Sequence, residues 1–232
     1  MRNKTLKCKS KAYYNLTWTL KLLLLLPFLI YYYCEIILDD FSNFYFKFLS
    51  LILFCVVVFW VSILFVFDCY VDKKRKNIYD KVVNGSMNCM DGEKILINLE
   101  HFPMSRLSFL HLLSTISLVE IRQLNFEKTK MSLKRLKDIN KYYGGGSYFD
   151  IFCDCYLLLI DIYQNEYTDL SIREFLEKHG NEKIKNVNLV SLIDAIRFFA
   201  NREYSSFVNR IFDQNNNNNH FLDALIEKYR NS

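Results

Sequence analysis

The sequence predicts an all-α protein in which an N-terminal two-helix transmembrane hairpin precedes a cytoplasmic helical bundle-like domain. Three observations carry that expectation. Two long apolar runs lie within residues 1–67, the remainder is polar with apolar residues at helical spacing, and glycine and proline number only 6 and 2 in 232 residues. Few breakers favour helices, because proline removes a helical hydrogen bond and glycine raises the entropic cost of ordering. The mean hydropathy of +0.02 averages over this division and conceals it.

The chain opens with a basic tail, residues 1–21, carrying Arg2, Lys4, Lys7, Lys9 and Lys11. The first apolar run, Leu22 to Leu38, has 17 residues and one charge, Glu35. It reaches a spanning length, about residues 20–38, if Lys21 snorkels to the interface. The second run, Phe48 to Phe67, is uncharged, and 16 of its 20 residues are Leu, Ile, Phe or Val. Those residues favour insertion by about −5 to −10 kcal/mol in total. A cleavable signal peptide fits the first run poorly, since Tyr31, Tyr32, Tyr33 and Glu35 stand where small residues precede cleavage.

Only Asp39 to Lys47 joins the runs, so residues 22–67 read as an antiparallel hairpin whose helices satisfy their own backbone hydrogen bonds. Lysine and arginine lie before the first run and after the second, which places both termini in the cytoplasm. Within the spans only Glu35, Ser50, Ser62 and Pro27 depart from an apolar helix, and glycine is absent. A hairpin so poor in polar lining and lacking GxxxG reads as an anchor, with Glu35 at the interface.

Residues 68–90 read as a basic juxtamembrane linker. Lys73, Lys74, Arg75 and Lys76 follow the membrane run and are expected to attract anionic lipid head groups, at about 1 kcal/mol each near the surface. The weak pattern over Asn77 to Gly92, with turn signals at Asn84-Gly85 and Asp91-Gly92, allows one short helix. A net charge of +5, clustered and without a recognition module, gives no reason to expect nucleic-acid binding.

The cytoplasmic α-helical domain is expected over residues 91–232. Met104 to Asn125 is apolar on most faces and reads as the central helix, too polar and too short to be a third span. Lys128 to Tyr143 reads as a basic amphipathic helix, either the solvated outer face of a bundle or a segment lying on an anionic membrane, and ends at Gly144-Gly145-Gly146. Tyr148 to Tyr163 puts Phe149, Phe152, Cys153, Tyr156, Ile160 and Tyr163 on one helical face, though its β-forming residues also allow a strand. Ser171 and Glu174 have capping-box spacing, Leu170 and Phe175 have staple spacing, and Gly180 closes that helix. Asn188 can cap a helix burying Leu189, Leu192, Ile193, Ile196 and Phe199 and continuing through Phe207, Val208 and Ile211. After a polar insert at Asn215 to Asn219, Phe221 to Tyr229 forms the last amphipathic helix.

Chemistry-bearing residues are sparse. Asp150, Asp154 and Asp161 fall on one stripe and are the sole candidates for a hard cation or acid–base work. His101, His111, His179 and His220 are widely spaced, Cys153-Asp154-Cys155 lacks metal-pair geometry, and the seven cysteines have no disulfide framework. No catalytic residue or cofactor is therefore expected. The sequence points to a membrane-anchored interaction or regulatory module with a protein partner. The alternatives are a membrane-acting effector or pore former, and a metal-dependent enzyme using the three aspartates.

Overall fold

A computed structural model describes residues 44–102, 104–143, 146–179, 187–201 and 220–230. Every regular element among them is an α-helix. In chain order these are α1 (Phe44–Val83), α2 (Cys89–Leu99), α3 (Arg106–Arg122), α4 (Phe126–Tyr142), α5 (Ser147–Gln164), α6 (Asp169–His179), α7 (Val187–Asn201) and α8 (His220–Arg230). Of these residues, those within Met1–Tyr70 and Pro103–Arg106 form one compact unit, and those within Val71–Phe102 and Leu107–Ser232 form another.

In the first unit, α1 exposes Leu51, Phe54, Val58, Phe59, Phe65 and Val66. Ser62 donates its hydroxyl to the Val58 carbonyl at 2.7 Å, so the polar atom within this apolar stretch is satisfied by the helix itself. One residue beyond the apolar run, the Asp68 carboxylate accepts the backbone N–H of Ser105, next to the start of α3. Of the expected hairpin, the first run, Leu22–Leu38, lies outside the described residues. Among the described residues one helix is long and apolar enough to cross a membrane.

The stretch expected as a linker is largely helical, since α1 continues to Val83. Val71, Ile78 and Val82 are buried and lie on one helical face, seven and four residues apart. The basic residues between them lower the local hydropathy without breaking that period. α1 then stops at Gly85, whose φ of +71° suits a residue without Cβ. The Gly85 and Met87 amides return to the carbonyls of Val82 and Lys81. Asn88 caps α2 by accepting the Met90 amide at 3.0 Å.

Gly92, expected in a turn, lies inside α2 against α1. A Cβ there would sit 2.5 Å from Val82 Cγ2, so the two helices approach closely where the side chain is missing. α3 buries Leu110, Leu112, Leu113, Ile116, Val119 and Ile121, residues that point in most directions around its axis. Its buried Ser114, Thr115 and Ser117 hydroxyls donate to carbonyls one turn earlier, at His111 and Leu113. Helix α3 ends before Leu124, which has a φ of +53°, and Asn125 caps α4 through the Lys128 amide.

α5 resolves the helix-or-strand ambiguity in favour of a helix, with ten buried residues on most of its faces. It packs against α4, α6 and α7, and α6 packs against α7. Its αL C-cap, Asn165, has a φ of +59°. The expected cap of the next helix moves three residues upstream. Thr168 Oγ1 accepts the Ser171 amide and Ser171 Oγ accepts the Thr168 amide, both at 3.1 Å. With the start fixed there, Leu170 is exposed and makes no staple, while Phe175 is buried.

In α7, Leu189, Leu192, Ile193, Ile196 and Phe199 are buried, which is the expected stripe. α8 seats Phe221 among the rings of Phe126, Tyr156 and Tyr163. Tyr229 donates its hydroxyl to the Ile162 carbonyl at 3.0 Å, and Lys228 donates to the Tyr163 carbonyl, so α8 adds side-chain donors to carbonyls in the last turn of α5. Phe207, Val208, Ile211, Gly144, Gly145, Gly180 and the asparagine insert lie outside the described residues.

Candidate functional site

The three stripe aspartates project from α5 toward basic and amide groups on neighbouring elements. Asp150 accepts the Asn140 side-chain amide at 3.0 Å. Asp161 pairs with Lys130 at 2.8 Å, and Lys130 also binds Glu166 at 2.8 Å. Asp154 is the hub: it accepts from Lys137 on α4, from Lys178 at 2.8 Å and from His179 Nε2 at 3.0 Å at the end of α6.

Burial opposes the Asp154 charge, but the hydrogen bonds from Lys137, Lys178 and His179 outweigh it and hold the carboxyl down at about 2. Burial, reinforced by the Asp154 charge, pushes the thiols of Cys153 and Cys155 far up, so neither is a nucleophile near neutral pH. Cys55, Cys69, Cys89, Cys153 and Cys155 are free thiols. The three carboxylates thus serve as three separate anchor points along α5. Among the described residues no group of three or more His, Cys, Asp or Glu side chains is placed to hold a metal ion.

The basic collar divides. Lys73 and Lys76 are exposed, with Lys76 paired to Asp72 at 2.9 Å. Arg75 turns inward: its Nη1 donates to Thr115 Oγ1 on α3 at 2.9 Å and its Nη2 to Asp72. Burial, then the Arg75 charge, lowers the basicity of the half-buried His111. Arg75 therefore holds α1 to α3, while Lys73 and Lys76 keep exposed side chains on α1.

A second polar centre, not singled out from the sequence, forms where α2, α3 and the start of α4 meet. Glu93 and Glu120 are almost fully buried, at 5 % and 2 % exposure. Glu93 accepts from Lys128 and, at 3.1 Å, from Gln123 Nε2. Glu120 Oε1 lies 3.9 Å from the same Lys128. Next to them, Arg135 makes a two-pronged bond to Glu100 at 3.0 and 2.8 Å. The available signal in the sequence was one acid, Glu120, inside the apolar run Leu118-Val119-Glu120-Ile121. Its partners are supplied by other helices.

Compared with known proteins, the chain matches no family model, no curated protein and no solved structure.

Proposed function

We propose that the chain is a membrane-anchored helical interaction or regulatory module, with the apolar N-terminal part of α1 in the bilayer and the helical domain engaging a protein partner at the cytoplasmic membrane surface. One observation carries this reading: the apolar 18-residue window of α1 is only 6 % buried. A core helix of comparable composition would be covered by its own protein. An uncovered apolar helix calls for a bilayer, and its backbone already satisfies itself as lipid requires.

Leu22–Leu38 forms the second arm of the anchor in this proposal, giving a two-pass hairpin with both termini cytoplasmic. Exposed Lys73 and Lys76 face anionic lipid head groups. Asp150, Asp154 and Asp161 are each bonded to different neighbouring side chains, which weighs against the alternative in which they share a cation. The test uses the full chain expressed in a membrane system, with tags at both ends. Retention in the membrane after alkaline carbonate washing, and both tags reachable from the cytoplasmic side, are the expected results. A chain that stays soluble without detergent would overturn the anchor, and tags on opposite sides would overturn the two-pass topology. Cross-linking in intact membranes should return a recurrent protein partner without dye leakage, whereas leakage would identify a membrane-acting effector.

A further inference from the structure

We propose that the corner formed by Glu93, Glu120 and Lys128 is a proton-operated latch: Glu120 carries a proton while α2 is docked, and loss of that proton loosens α2 from α3 and α4. This inference concerns the helical domain alone and does not depend on the anchor reading.

The geometry is one of unequal charge. Two buried carboxylates approach a single ammonium group, Lys128, which is already in direct contact with Glu93. Arg135 also faces Glu120, but Glu100 engages its guanidinium through both terminal nitrogens. The Ser132 hydroxyl is the remaining hydrogen-bond partner of Glu120, and Glu120 Oε2 is buried with no partner among the described residues. A second negative charge in this corner would therefore be buried without adequate compensation, which is strongly unfavourable. Protonation removes that charge.

Burial is the main force on the Glu120 carboxyl. The Glu93 charge adds to it, and despite opposing contributions from Ser132, Lys128 and Arg135 the group is pushed up to about 7. Its charge thus changes near neutral pH. Among the described residues α2 is held by its buried Leu96 and Leu99 and by polar bonds from Glu93 to Lys128 and Gln123 and from Glu100, its C-cap, to Arg135. Ionised Glu120 competes with Glu93 for Lys128 and repels it, so the Glu93 attachment weakens as pH rises. An acid raised in the folded state stabilises docking below its ordinary value of 4.5 and loses that contribution as pH climbs through about 7.

Hydrogen exchange of the α2 amides in the full chain, held in lipid nanodiscs and corrected for intrinsic exchange rates, tests the latch. Protection of Cys89–Leu99 should fall by about tenfold between pH 6 and pH 8.5 in the parent. Glu120→Gln, which keeps the shape without the titration, should make that profile flat. Glu93→Gln gives a second reading should Glu120→Gln fail to fold, because freeing Lys128 for Glu120 must move the midpoint to lower pH. A flat parent profile, an unchanged pH response in Glu120→Gln, or an unmoved midpoint in Glu93→Gln would overturn the proposal. So would loss of protection in α7 in step with α2, since the proton would then act on the domain as a whole.

Discussion

Asp154→Asn tests whether the α5 stripe is structural, because Asn keeps the side-chain shape and removes the charge that three donors share. The Asp154 side chain is 14 % exposed, and His179, one of its partners, is 3 % exposed. Displacement of the carboxyl from 3.8 to about 2 corresponds to about 2 kcal/mol of stability at neutral pH. Because the folded value is depressed, that contribution is present above 3.8 and disappears as pH falls through about 2. Lys178 is 58 % exposed, so water screens its share and Lys178→Met alone should change stability little. In thermal unfolding of the full chain in micelles, followed by circular dichroism, Asp154→Asn should lower Tm at pH 7 by about 4–8 °C. The gap to the parent should narrow below pH 4 (approximately), as the parent carboxylate begins to protonate. An unchanged Tm would refute the hub. So would a rise in parent Tm with Mg2+, Mn2+ or Ca2+ that Asp154→Asn abolishes, since the carboxylate would then be serving a cation.

Two further substitutions probe the backbone geometry that positions these groups. Gly92→Ala gains about 0.5–1 kcal/mol in helix propensity but places a Cβ 2.5 Å from the stiff, branched Val82 side chain. Overpacking of that kind costs about 1–3 kcal/mol, so the net effect in urea unfolding should be destabilising, and Val82→Ala in the same chain should recover part of the loss. Leu124 is 41 % exposed and held at a φ of +53°, where a bulky L-residue is strained. Leu124→Asn should raise stability by about 0.5–1 kcal/mol, and a fall in the urea midpoint would count against strain at this turn.

Apolar periodicity made the helices of the domain legible, and it worked best where burial is one-sided. The α7 stripe from Leu189 to Phe199 is such a case. It was weaker for α5, whose buried residues surround the axis and leave a pattern that a buried strand shares. α1 was cut short for another reason: Lys73 to Lys76 depress the average hydropathy while Val71, Ile78 and Val82 keep the period. Local chemistry pointed to Ser171 as the start of α6, whereas in the fold Thr168 and Ser171 exchange amide–hydroxyl bonds and the helix begins at Asp169, which leaves Leu170 exposed and Phe175 buried.

The basic helix α4 shows what periodicity leaves out. Along the chain Lys128, Lys130, Arg135 and Lys137 resemble a charged face awaiting solvent or lipid. In the fold they meet Glu93, Asp161, Glu100 and Asp154, residues 17 to 35 positions away in sequence. Such pairs depend on the register between helices, which the period of any one helix does not contain. The acidic stripe of α5 and part of the basic face of α4 are two sides of one set of contacts, so neither taken alone identifies a ligand. By the same reasoning, the informative position is the one where the matching fails. Lys128 has two buried carboxylates within reach, and Glu120 is the one left short of a cation. With the other buried acids among the described residues matched by bases, the domain should respond to pH through Glu120 first.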